Sequence, residues 1–291
     1  MHDEPNADIA SLARFVRRHP RQFVLTGAGT STDSGIPGYR DVDGRWAHPP
    51  PMRIDEFLHS KQGHRRYWSR SMIGWPELDN ARPNAAHRAL ATLEALGCID
   101  QLVTQNVDGL HERAGSMRVI ELHGNVHRVV CLVCGAMHSR ASVQRALERR
   151  NRLFMPTTAL PAPDGDADTS ASGEHLDEFI PPSCSICHGK LKPDVVFFGE
   201  AVPRPRVDAA HDALERADAM LVVGSSLMVY SGYRFCVWAA QMGKPIAAVN
   251  VGRTRADALL ALKVEQRCGE ALSALVDDLT AQYAAHATRP H

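Results

Sequence analysis

The 291 residues lack net charge: 33 lysines and arginines balance 33 aspartates and glutamates. No field over the whole surface would gather a polyanion, so nucleic acid is not an expected partner. The local basic runs Arg65–Arg70 and Arg145–Arg152 read as ordinary solvated faces. Long apolar runs are missing too. Ala219–Val223 and Pro245–Val251 are the longest, far below the ~18 residues that cross a bilayer, so no membrane-spanning segment is expected. The first 20 residues hold Asp3, Glu4 and Asp8, and have neither the apolar run of a secretory signal nor the acid-poor character of a transit peptide. A cytoplasmic location is the expectation. Internal repeats are absent. What the chain does have is 44% hydrophobic residues, enough to bury a full core and to exclude a disordered or fibrous protein.

Short apolar runs bounded by turn residues alternate with helical spacing. Gln22–Thr26, Gln101–Thr104, Val195–Phe198, Ala219–Gly224 and Pro245–Val251 are predicted as buried strands, and Arg82–Leu96, Arg206–Ala217, Gly232–Gln241 and Gly269–Tyr283 as helices. Continuously apolar strands suit a parallel sheet covered on both faces. The predicted fold class is α/β: a doubly wound, Rossmann-like parallel sheet in a large domain (1–44, 81–125 and 192–291), with a smaller zinc-binding plus helical domain. The small domain combines a helical insertion (45–80) with a cysteine-bearing module (126–191). That module holds a tract of Pro, Ala, Asp, Gly and Ser at about 156–174, which reads as a mobile loop.

Four of the seven cysteines form two CxxC pairs, Cys131/Cys134 and Cys184/Cys187, while Cys98, Cys236 and Cys268 stand singly among apolar neighbours. A glycine lies just beyond each pair, where backbone amides can approach the sulfurs. Four thiolates make a closed tetrahedral zinc site, structural rather than catalytic, clamping the base of an excursion with 49 residues between Cys134 and Cys184. Unconnected thiols and a redox dithiol are the alternatives. The repeated pattern argues against the first, and a redox site needs only one pair. His188 is a spare ligand that the four cysteines make unnecessary.

After the first strand comes Gly27-Ala28-Gly29-Thr30-Ser31-Thr32-Asp33-Ser34-Gly35-Ile36-Pro37-Gly38-Tyr39-Arg40-Asp41, dense in glycine and hydroxyls, whose amides can cradle a pyrophosphate. The spacing is not GxGxxG, and no ribose-binding acid follows a second strand, which disfavours an ordinary dehydrogenase. Taken alone, such a loop is moderate evidence for a nucleotide site, with a structural turn as the lesser alternative. Three further loops at strand ends, Thr104–Asp108, Gly224–Ser226 and Asn250–Gly252, are each readable as helix caps. Together they argue for one crevice at the carboxyl edge of the sheet. His123, one of 15 histidines, follows the β-like run Val119–Leu122. Neighbouring strand ends would bring Asn106 and Asp108 to it, setting an imidazole, an amide and a carboxylate around one ligand.

The segments GAGTSTDSGIPGYRD, TQNVDGLHERAG, ELHGN, the CxxC pairs, KPDVVFFGE, VVGSSLMVYSGYRF and VN resemble, in order from residue 24 to about 270, the sirtuin family, and in detail its class II. The resemblance implies an NAD-dependent protein lysine deacetylase or deacylase. Nicotinamide leaves a bent NAD, the acyl oxygen attacks C1′, and His123 deprotonates a ribose hydroxyl that closes on the imidate. The products are nicotinamide, O-acyl-ADP-ribose and free lysine. It implies NAD contacts from Gly27, Ala28, Gly29, Thr30, Ser31, Asp33, Ile36, Pro37, Tyr39, Arg40 near the phosphates and Trp46. Gln105, Asn106, Val107, Asp108 and His123 would surround the nicotinamide end. Gly224, Ser225, Ser226, Asn250, Val251, Gly252 and, by the adenine, Cys268 would hold the adenosine half. Thr30 departs from the apolar residue that many relatives carry there.

The same resemblance implies that an acyl-lysine peptide adds as a strand between Val196-Phe197-Phe198-Gly199-Glu200 and the segment holding Leu227 and Val229. Tyr67 and Arg70, three apart on one helical face, resemble the pair with which desuccinylating sirtuins hold an acidic acyl chain. The alternative is a packed tyrosine and a solvated arginine. Three functions stay open: a lysine deacylase, a mono-ADP-ribosyltransferase at the same NAD site, and a non-catalytic NAD or ADP-ribose binding module. The set of His123, Asn106 and Asp108 favours catalysis.

Overall fold

In the computed structural model, residues 8–47, 49–154 and 176–287 are described; the loop expected at 156–174 lies outside them. Asp8 caps α1 (Ile9–Arg18) by accepting a hydrogen bond from Ser11 N, and β1 (Gln22–Thr26) follows with all five residues buried. Next come α2 (Ile54–His59), α3 (Lys61–Asn80), α4 (Ala85–Ala95), β2 (Ile99–Thr104), α5 (Leu110–Arg113) and β3 (Val119–Glu121). The cysteine-bearing stretch supplies β4 (Gly124–Cys131), β5 (Met137–Ser139), α6 (Arg140–Arg150) and β6 (Leu191–Val195). The chain ends with α7 (Arg204–Arg216), β7 (Ala219–Val223), α8 (Tyr230–Gln241), β8 (Ile246–Val249), β9 (Leu262–Val264) and α9 (Cys268–Ala287).

Six strands form one parallel sheet in the order β3-β2-β1-β7-β8-β9. Alternate side chains serve opposite faces, which is why the central strands read as unbroken apolar runs. Val24, Leu221, Val223 and Val249 pack under Leu12, Leu90 and Leu272 of α1, α4 and α9. Phe23, Leu25, Met220 and Val222 pack under Leu214 and Phe235 of α7 and α8. This is the doubly wound α/β fold.

A second, antiparallel sheet, β5-β4-β6, carries its own core, in which Phe57 and Trp68 from the helical insertion meet Val129, Leu147, Phe179 and Leu191. One expectation fails here: Val195–Phe198 is no strand of the parallel sheet. β6 ends at Val195 beside Gly124 of β4, and the next residues run back toward the large sheet. Their apolar character has another cause. Phe197 packs against Phe57 and Tyr67, with ring centroids 4.9 and 5.1 Å apart, and Phe198 against Trp46 at 5.5 Å. The chain thus crosses between the sheets four times, near residues 36–53, 81–84, 122–123 and 196–203.

Candidate active site

The crossings and the loops after β1, β2, β7 and β8 enclose a cavity of about 610 Å³. Its glycine-rich wall is set by close backbone approach: Gly29 N donates to Gly224 O at 2.8 Å. Gly224 has φ +58, and a Cβ there would lie 2.4 Å from Thr30 N. No other residue type fits that turn. Opposite, Leu227 also holds a positive φ, 58°, rare for a residue bearing a side chain; Ser225 Oγ, 3.3 Å from its N–H, steadies it.

His123 occupies the short junction between β3 and β4. Its Nδ1 lies 2.9 Å from Gln105 O and its Nε2 2.8 Å from Ser231 Oγ. A carbonyl only accepts, so Nδ1 carries the proton and Nε2 presents a lone pair. Burial is the main force lowering the pKa of the ring to about 4; the Gln105 carbonyl opposes this, and the Arg206 and Arg234 guanidiniums add to it. The imidazole is therefore neutral near pH 7, as a base must be.

Asn106 Nδ2 donates to Gly27 O at 3.1 Å and to Ser31 Oγ at 3.0 Å. Ser31 in turn donates to Asp108 Oδ2 at 2.7 Å, while Asp108 Oδ1 accepts from Leu110 N at 2.9 Å. Behind this chain two histidines are buried. His87 Nε2 reaches Ser31 Oγ at 3.4 Å, and His111 Nε2 lies 3.0 Å from Thr26 Oγ1. Burial drives His87 down to about 4 and His111 well below its ordinary value.

Off the cavity wall, the four cysteines converge, with all Sγ atoms within 4.8 Å of one another. The separations Cys131–Cys187 (3.5 Å) and Cys134–Cys184 (3.8 Å) bracket the ~3.8 Å edge of a tetrahedron with Zn–S bonds of ~2.3 Å. The N–H groups of Val133, Ile186 and Gly189 point at the sulfurs of Cys131, Cys184 and Cys187, each at 3.4 Å. The donor set fits zinc. In the second knuckle the left-handed residue is His188 (φ 60) rather than the glycine after it. The histidine beside the sulfurs is His138, with Nε2 3.4 Å from Cys184 Sγ.

Of the residues singled out from sequence, Gly27, Ala28, Gly29, Ser31, Ile36, Tyr39, Arg40, Trp46, Gln105–Asp108, His123, Gly224–Ser226, Asn250 and Val251 line the cavity, as do Val196–Glu200, Leu227, Val229 and Tyr67. The Arg40 guanidinium lies 3.6 Å over the Trp46 ring. Five others stand off the wall and build it. Thr30 Oγ1 donates to Val223 O, Asp33 pairs with Arg267, and Gly252 N donates to Glu265. Pro37 borders a neighbouring hollow, and Cys268 is buried at the start of α9. Arg70 is not on the wall that Tyr67 shares. Sequence reasoning missed Ser231 and Arg234 on the wall. Both lay inside the quoted VVGSSLMVYSGYRF, but no local pattern marks a hydroxyl that meets a histidine 108 positions away in sequence.

A profile described as "Sir2 family" matches residues 27–231. The chain belongs to the Sir2 family. Among the relatives of this Sir2-family chain is the "NAD-dependent protein deacetylase" of Xanthomonas campestris pv. campestris strain 8004, 55% identical over 91% of this chain and 90% of that one. The "NAD-dependent protein deacetylase 2" of Bradyrhizobium diazoefficiens is 56% identical over 93% and 99%. Among solved structures, "Sir2-p53 peptide-NAD+" superposes with a TM-score of 0.75 at 30% identity, covering 94% of this chain and 100% of that one. "Sir2 bound to acetylated peptide" gives 0.74 at 29%, covering 94% and 99%. Among the described residues no helix of this Sir2-family chain is long and apolar enough to cross a membrane.

Proposed function

We propose that the protein is an NAD-dependent protein lysine deacylase, releasing nicotinamide, O-acyl-ADP-ribose and free lysine. One observation carries the reading: a neutral imidazole, its Nε2 lone pair facing inward, stands in the same cavity as the glycine-rich loops and the Phe197–Glu200 wall. The names of the relatives and the NAD and peptide in the titles of the solved structures agree with it. NAD, as co-substrate, is held by the cavity residues from Gly27 to Trp46, from Gln105 to Asp108, and at Gly224–Ser226, Asn250 and Val251. Thr30, Asp33, Pro37, Gly252 and Cys268 shape those loops from behind.

The acyl-lysine peptide runs between Val196–Glu200 and Leu227–Val229. Phe197 N–H and C=O are both bonded to Glu200 and Phe198 C=O accepts from Ile54 N, so a peptide pairs with this wall through other backbone groups. One Zn²⁺, held by Cys131, Cys134, Cys184 and Cys187, braces the small lobe. The NAD-binding lobe takes in 1–44, 81–123 and 196–291 and the small one 45–80 and 124–195, boundaries that follow the ends of β4 and β6. The motifs that resemble class II support that subfamily, and seven cysteines without a disulfide among them suit a cytoplasmic setting.

The test is incubation with NAD and a panel of acyl-lysine peptides beside His123→Ala. Steady nicotinamide release should require the peptide and vanish in the variant. Mass spectrometry then separates the routes: O-acyl-ADP-ribose identifies deacylation, whereas a protein gaining ADP-ribose identifies transfer and would displace the reading. Peptide-independent turnover would reject both.

A further inference from the structure

We propose that Ser231 relays the proton that His123 takes up, so that the general base of this enzyme is a serine–histidine pair. The inference rests on the deacylase reading above. Because Gln105 O fixes the proton on Nδ1, the 2.8 Å contact at Nε2 has one sense: Ser231 Oγ–H donates and Nε2 accepts. The basic lone pair is thereby occupied by a hydroxyl that itself lines the cavity. A substrate hydroxyl reaches the base through that oxygen, donating to an Oγ lone pair.

The surroundings are shaped for the contact. Ser231 lies in the first turn of α8, and the next residue, Gly232, is where a Cβ would fall 2.3 Å from Gln105 Oε1. The glycine lets the helix close on the residue whose carbonyl holds the other side of the imidazole. Gln105 is anchored in turn, its Nε2 donating to Ser225 Oγ at 2.9 Å and Thr26 O at 3.1 Å. One turn along, Arg234 also faces the cavity, a cation that disfavours a second positive charge on the ring before reaction.

The step balances. The hydroxyl O–H bond breaks and its proton passes to Oγ, while the Oγ–H proton passes to Nε2. The hydroxyl's freed electron pair forms the bond to the acyl carbon as the C=N π pair of the imidate moves onto the lysine nitrogen, serine returns unchanged, and His123 becomes imidazolium until it gives the proton to the departing lysine amine. Two protons move together, whereas a histidine acting directly moves one.

The experiment is single-turnover kinetics of wild type, Ser231→Ala, Ser231→Thr and Gly232→Ala with NAD and an acyl-lysine peptide. Nicotinamide release and O-acyl-ADP-ribose formation are followed separately, in mixtures of H₂O and D₂O. Ser231→Ala should slow acyl transfer roughly 10- to 100-fold, part of the 10²–10⁴ a general base contributes, and leave first-turnover nicotinamide release within about twofold. The bowed dependence on deuterium fraction should become linear. Ser231→Thr should restore most of the rate with the bow, and Gly232→Ala, whose new methyl must displace the Gln105 side-chain amide, should slow acyl transfer in the same direction by less. ¹⁵N spectra of the histidines should show the His123 Nε2 signal moving in Ser231→Ala as its donor is lost. Acyl transfer at the wild-type rate in Ser231→Ala, or a bow that survives it, overturns the relay alone. Wild type releasing no nicotinamide with any acyl peptide overturns the deacylase reading and the relay with it.

Discussion

Acidification should unfold this protein well before its carboxylates titrate. His64, His87 and His123 are held by burial at about 4 instead of 6.5, and His111 lower still. Each is neutral when folded, and in the unfolded chain each takes a proton once the pH drops below about 6.5. Stability supplied by neutral burial is therefore complete above 6.5 and lost as the pH falls toward 4, where the folded state also begins to protonate. Near pH 5.5 the unfolded chain holds about 0.9 of a proton on each ring and the folded chain almost none, an uptake of roughly 3.5 protons. Integrated from about pH 7.5 to 5.5, that costs about 1.3 kcal/mol per histidine, about 5 in all, a large share of a typical domain's stability. Urea midpoints measured across this range, with direct proton uptake on unfolding, give the slope. His87→Gln should lower it by about a quarter, and any metal release common to both proteins cancels in the difference. An uptake below about one proton in the wild type, or an unchanged slope in His87→Gln, would refute the argument.

Gly224→Ala should destabilise the fold by roughly 2–4 kcal/mol, because the new Cβ overlaps Thr30 N and the residue must keep a positive φ; thermal melts measure it, and KM for NAD should rise more than KM for peptide. Zinc removal by a strong chelator should melt the small lobe, since Cys131 and Cys184 lie within its core. Circular dichroism checks this, and a zinc-free protein that keeps its fold but loses activity would contradict it. Arg70→Met decides between the two readings of Tyr67 and Arg70: selective loss on a succinyl- or glutaryl-lysine, with deacetylation surviving, supports the clamp, and an equal change on both acyl groups, read by product mass spectrometry, rejects it. Turnover should show no inflection near pH 6.5 above the pH at which the fold is lost, because His123 stays neutral above about 4; an inflection near 6.5 at constant stability would count against it.

Much of this was legible in the chain because its physics is local. β1 and β7, buried on both faces, leave unbroken apolar runs, and the paired CxxC spacing allows few arrangements besides a four-sulfur site. Other parts were not. β4 mixes His127 and Arg128 with valines because one face of its sheet is partly open, so it carries no clean period. β9 is a three-residue edge. Phe197 and Phe198 look like core strand because the small lobe and the cavity wall bury them as a sheet would. Thr30, Asp33, Pro37, Gly252 and Cys268 share motifs with the cavity residues, yet a motif records loop architecture and ligand contact together, and only coordinates separate them. Ser231 depends on a helix meeting a strand junction, which no window of sequence contains.

His123 stands on two residues of chain that end one sheet and begin the other. Such a seat makes the enzyme tolerant in one place and brittle in another. Extra length at the outer tip of the cysteine-bearing excursion leaves the imidazole where it is. A single residue inserted between Leu122 and His123 would shift the imidazole against Gln105 and Ser231 and slip β4 against β6, reversing the facing of its side chains. Length variation among natural versions of this protein should therefore collect at the tip and spare the junction.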